Sequence, residues 1–235
     1  MDELPQVQQN IEELTKTCLF GKILGDPLDM RTIISKSKAD WKMVRGDVEY
    51  HEIGNQWLLL RFANSSDRGL VWEERPWHMQ GELLVLQPWR PFFDPFSEEI
   101  QNADLWIRIP HFPAELLNAQ SVANLVERNN VGKFIRLDQR SILRNEFCFA
   151  RACISVNILE PLKTYAEIVR KGGKTFGYLI WFEDFSEGCA FCGESSHIID
   201  VCPLLHSPPM EVKIVLEKAR PVANMAGERP TPCAR

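Results

Sequence analysis

Near the C-terminal end, Cys189, Cys192, His197 and Cys202 stand in the spacing C-x2-C-x4-H-x4-C. Three thiolates and one imidazole are the donor set that closes a tetrahedral structural zinc site, with no position left for water. The short segment 186–204 cannot bury a core of its own. One structural Zn2+ must therefore supply its folding energy, which in zinc-finger peptides is roughly 10–16 kcal/mol. Gly193 follows the second cysteine, where a turn that aims backbone N–H groups at the sulfurs needs an unobstructed residue. The rival is a redox-active CxxC after the apolar strand Tyr178 to Phe182, but 43 residues beyond Cys192, many of them proline-rich, are too few to complete a thioredoxin-like fold.

The remaining cysteines fit this picture. Seven in all is an odd number, and the start Met1-Asp2-Glu3-Leu4-Pro5 has neither a basic nor an apolar leader segment. Reduced thiols inside the cell, in nucleus or cytoplasm, are expected. No run of about 18 apolar residues occurs, so no membrane span is expected either.

Upstream, the pattern is α+β. Thr17 to Leu24 reads as a strand after a polar start, and Asp26-Pro27 introduces a helix near Leu28 to Ala39. Val48 to Ile53 and Trp57 to Phe62 make a hairpin about Gly54-Asn55-Gln56. Ser65-Ser66-Asp67 caps a second short helix through about Glu74, and Gly81 to Leu86 is a fourth strand ending before Pro88. The order β-α-β-β-α-β is the ferredoxin-like arrangement, shared with RNA-recognition domains, over residues 15–90. Pro88 to Phe96 then reads as a stiff aromatic connector lying across that subdomain.

A second α+β half is expected over 91–182. It holds strands at Leu105 to Ile109 and Lys133 to Asp138, a helix near Ser121 to Asn129, and a strictly alternating strand from Phe147 to Ile158. A hairpin about Gly172-Gly173 leads into a strand from Phe176 to Phe182, and the proline-rich residues 205–235 form a loose tail.

Several of these pieces recur together in a known family. They are Trp57 to Phe62, Arg75-Pro76-Trp77, Gly81 to Leu86 with Trp89, Leu105 to Pro110 with Phe112-Pro113, Val131-Gly132-Lys133 with Asp138, Ala150-Arg151, Pro161-Leu162 and the Cys/His motif. In this order, over about residues 15 to 203, the chain resembles the plant domain of unknown function that precedes a CX2CX4HX4C zinc knuckle in LINE-type retrotransposon gag-like proteins. The resemblance implies an RRM-like region, zinc and nucleic-acid binding, and no enzymatic activity. One departure is Ser196, where such knuckles usually have glycine before the histidine.

Charge is the other departure. The net charge of −5 is unevenly spread: residues 1–98 sum to −5, 128–174 to +6 and 175–212 to −6, the last without a single Lys or Arg. The knuckle therefore cannot hold phosphates by its own charge, though Phe191 and Ile198 are placed either to stack an unpaired base or to pack over the zinc. The basic stretch offers Arg136, Arg140, Arg144, Arg151, Lys171 and Lys174, with Phe147 and Phe149 alternating onto the side of Arg151. Stacking with phosphate contact is the recipe for single-strand binding, and a solvated face is the plain alternative. Trp57 and Leu59 stand where an RNA-recognition domain carries two exposed aromatics, only one of them aromatic here.

No catalytic constellation is visible: no HExxH, no phosphate-binding glycine loop, and scattered histidines. The expected function is a non-enzymatic, zinc-dependent protein binding single-stranded RNA or DNA, with self-association compatible with a gag-like role. The alternative is a protein-interaction module in which the knuckle is purely structural.

Overall fold

A computed structural model describes residues 5–142, 149–169, 173, 175–185, 197 and 201–203. The protein is mixed α+β, with antiparallel sheets and few helices. It divides into two compact units, Met1–Ile100 and Gln101–Arg235. No helix among the described residues is long and apolar enough to cross a membrane.

The first unit begins with a helix where only a polar start was expected, α1 (Pro5–Thr17), then β1 (Cys18–Leu24) and α2 (Met30–Asp40). Asp29 caps α2 by accepting from the Thr32 N–H at 2.6 Å. β2 (Val48–Gly54) and β3 (Trp57–Phe62) form the hairpin, whose turn residues Asn55 and Gln56 both have positive φ. Asn64 caps α3 (Ser65–Glu73), and a short strand that the sequence reading lacks, β4 (Trp77–Met79), precedes β5 (Glu82–Pro88). The sheet runs β2-β3-β1-β5-β4, all antiparallel.

One face of this sheet makes the main core. Leu19 and Ile23 of β1, Leu58, Leu60 and Phe62 of β3, and Leu84 and Leu86 of β5 pack with Ile33 of α2 and Val71 of α3. The opposite face is also closed. Phe20, Trp57, Leu83 and Val85 are buried there, and Phe93 of the connector stacks on Phe20 with ring centroids 3.8 Å apart. Its ring meets Trp57 edge-on at 5.0 Å. Trp57, at 0 % exposure, is thus unavailable to a base, and the expectation of an exposed aromatic there is corrected. The connector lies across the subdomain as its prolines and aromatics suggest.

The second unit contains β6 (Asn102–Pro110), a 3-10 turn at Ala114–Leu116, α4 (Ala119–Arg128), β7 (Lys133–Leu137), α5 (Gln139–Ile142) and β8 (Phe149–Asn157). β9 (Tyr165–Val169) and β10 (Thr175–Leu179) pair only with each other, and β11 (Trp181–Phe182) follows. The single strand expected over 176–182 is therefore two, separated at the buried Ile180, whose N–H donates to the Thr164 carbonyl in register with the β9–β10 pair. The main sheet runs β11-β6-β8-β7. In each unit the first strand lies between the third and the last, and the second strand lies beyond the third. Where the first unit has α3, the second has the β9–β10 hairpin, tied to the end of α4 by two hydrogen bonds between the Asn129 amide and the Glu167 backbone.

Candidate nucleic-acid interface

Alternation along β6 and β8 separates two chemistries. Ala103, Leu105, Ile107 and Ile109 face Val156, Ile154, Ala152 and Ala150, and all are buried. α4 packs beside β7 and adds the buried Val122, Leu125 and Val126. The intervening positions are Trp106 and Arg108 on β6, Phe149, Arg151 and Cys153 on β8, and Trp181 on β11 opposite Arg108. Arg136 joins them through an irregularity in β7. One residue, Ile135, separates Phe134 from Arg136, but their partners Ile154 and Cys153 are adjacent, so Arg136 crosses from the buried face to this one.

Guanidinium groups and aromatic rings are stacked on this face. Arg151 lies 4.0 Å and Arg136 4.9 Å from the Trp106 ring centroid, and Arg108 lies 4.8 Å from that of Phe149. Carboxylates organise the arginines. Glu183 accepts from Arg108 Nε, and from Arg151 Nε and Nη2, the last at 2.7 Å. Asp138 accepts from Arg151 Nη1 at 2.8 Å. Burial pulls the Arg151 pKa down, yet the Glu183 and Asp138 hydrogen bonds and charges outweigh it and hold the group above the usual arginine value. Burial likewise pushes Glu183 up, and the two arginines overcome this and hold its carboxyl below the usual range. The Arg151 backbone N–H donates to Ser141 Oγ of α5 at 3.0 Å, which continues the pairing of β8 past the end of β7.

Of the residues singled out from sequence, Arg136, Phe149 and Arg151 come together here, on neighbouring strands. Arg140 is exposed on α5, two residues from Asp138. Arg144, Phe147, Phe191, Ile198, Lys171 and Lys174 lie outside the described residues. So do Cys189 and Cys192, whereas Cys202 is fully buried with a free thiol and His197 is half-buried. With two of the four expected zinc donors outside the described residues, those described hold no group of three or more His, Cys, Asp or Glu that could bind a metal. The donor chemistry of the four, three thiols and one imidazole, suits zinc.

Trp106, Arg108, Trp181 and Glu183 were missed. The period-two pattern of Asn102 to Pro110 carries the signal for the first pair, since the odd positions are apolar and buried and the even ones, Trp106 and Arg108 among them, share the other face. Nothing local marks Glu183, which is 32 residues from Arg151.

No curated protein matches the chain. Residues 11–97 match the family described as Domain of unknown function (DUF4283), so the first unit carries that domain, and the arginine-aromatic face lies outside it.

Proposed function

We propose that the protein is a non-enzymatic, zinc-dependent binder of single-stranded nucleic acid, of the gag-like type it resembles, and that the second sheet is its platform. The observation that carries this reading is the set of three guanidinium groups stacked on Trp106 and Phe149, on the face opposite the one that α4 helps to bury. Aromatic surface with arginine is what sequence-tolerant single-strand binding requires.

The strand order β2-β3-β1-β5, with α2 and α3 on one face, supports a ferredoxin-like reading of the first unit, and the second unit repeats that order. The two sheets use their other faces differently. Phe93 seals the first with hydrocarbon, whereas the second carries arginine and tryptophan. Arg151, held by Glu183 and Asp138, also stacks on Trp106 and so fixes that ring. Cys189, Cys192, His197 and Cys202 would hold the zinc and so give the acidic segment after β11 a fixed shape. The order of a DUF4283 domain followed by this Cys/His motif is the ground for proposing a retroelement origin.

Fluorescence anisotropy with zinc-loaded protein and a labelled single-stranded oligonucleotide tests the reading. Binding at low salt that falls steeply as salt rises, and weakens with Arg136→Glu, is expected. Absence of binding at low salt overturns it. A protein-interaction module with a purely structural knuckle is the second reading. The engagement of Arg108 and Arg151 by the protein's own carboxylates favours it, because paired guanidinium groups attract phosphate less.

A further inference from the structure

We infer that Glu183 is a built-in occupant of a phosphate seat: its carboxylate bridges Arg108 and Arg151 where a phosphodiester of a bound single strand is held, and the strand displaces it. The inference rests on the nucleic-acid reading above and states how that same face is regulated.

Register creates the seat. Arg108 of β6 lies directly opposite Arg151 of β8, and like charges facing each other across a ladder repel. An anion between them is required. Glu183 supplies it from the end of the edge strand, where its own N–H donates to the Trp106 carbonyl at 2.8 Å and brings the side chain onto the same face. A phosphodiester offers arginine the same paired oxygen acceptors as a carboxylate.

Two features keep the seat formed when the carboxylate leaves. Arg108 stacks over Phe149 and Arg151 over Trp106, so each guanidinium plane has a support other than Glu183. Asp138 remains on Arg151 Nη1. By contrast, Arg108 has no other carboxylate among the described residues, and it bonds Glu183 through Nε alone.

The test compares full-length, zinc-loaded wild type with Glu183→Gln by anisotropy on one labelled single-stranded oligonucleotide over a salt series. Glu183→Gln is expected to bind at least tenfold more tightly, with a salt slope steeper by about one phosphate contact. Wild-type binding with unchanged or weaker binding by the variant overturns this inference alone and makes Glu183 a mere support of Arg151. No binding by either protein overturns the platform reading too. If Glu183→Gln does not fold, the side-chain Nε–H resonances of Arg108 and Arg151 in the wild-type protein decide. They shift on adding oligonucleotide if Glu183 is displaced, and unshifted resonances overturn the inference.

Discussion

Asp67 is the first unit's clearest case of one side chain fixing a fold. It is 4 % exposed and ionised, and its Oδ2 accepts from the Gly46 N–H at 2.8 Å, the Arg45 N–H at 3.2 Å and Asn64 Nδ2 at 2.8 Å. Asn64 Oδ1 in turn accepts the Asp67 N–H, so the cap of α3 and the loop before β2 are joined at one carboxylate. The Gly46 bond above all, with those from Asn64 and Arg45, holds the Asp67 pKa below the usual aspartate value. A carboxyl whose folded pKa is lowered contributes stability above its unfolded pKa of about 3.9, and loses it as pH falls through the folded value. Asp67→Asn is therefore expected to lower the Tm at pH 7, and the gap from wild type should narrow at pH 2–3. Thermal melts at both pH values check this, and a gap independent of pH would sink it.

At the scale of elements, the connector after β5 does the work that a second layer does elsewhere. Phe93 covers Phe20 and Trp57, and the same strand of chain is pinned at its far end where Asn55 Nδ2 donates to the Pro95 carbonyl at 2.9 Å. Gly54 belongs to this contact, since a Cβ there would come within 2.9 Å of the Phe96 ring. Each aromatic pair contributes about 0.5–1.5 kcal/mol beyond the area it buries. Phe93→Ala is expected to cost roughly 2–3 kcal/mol, read as a lower midpoint in urea with an unchanged m-value. An unchanged midpoint would mean that the connector merely rests on the sheet. Three prolines among aromatics made this segment legible as stiff and surface-bound. Which ring meets which was not legible, because that depends on strands β1 and β3 having already paired.

Across the whole molecule, the two units have separate cores and one strand order. The first unit's core draws only on residues before 80 and on β5, so a chain ending at Ile100 is expected to fold alone and without zinc. Dispersed amide resonances from such a fragment, unaltered by a chelator, are the expected result. A collapsed or aggregated fragment would show that the first unit depends on the second.

The sequence by itself determined the main elements of the first unit, because hydrophobic period, capping residues and turn residues are local properties that need no partner. It also carries the spacing of Cys189, Cys192, His197 and Cys202 on which the proposed zinc site rests, since metal chemistry is written in residue type and spacing. It missed α1, although Val7, Ile11 and Leu14 stand at helical spacing along it, and β4, which is three residues long. The candidate platform was half legible. Arg136, Phe149 and Arg151 stand out by charge and alternation, whereas Trp106 and Glu183 become their partners only through pairing. Only the tertiary structure decided that an irregularity in β7 turns Arg136 onto that face, that Phe93 removes Trp57 from solvent, and that Glu183 neutralises two arginines 32 and 75 residues away. The physical reason is the same in each case: strand register sets which side chains meet, and register is fixed by contacts between segments far apart in the chain.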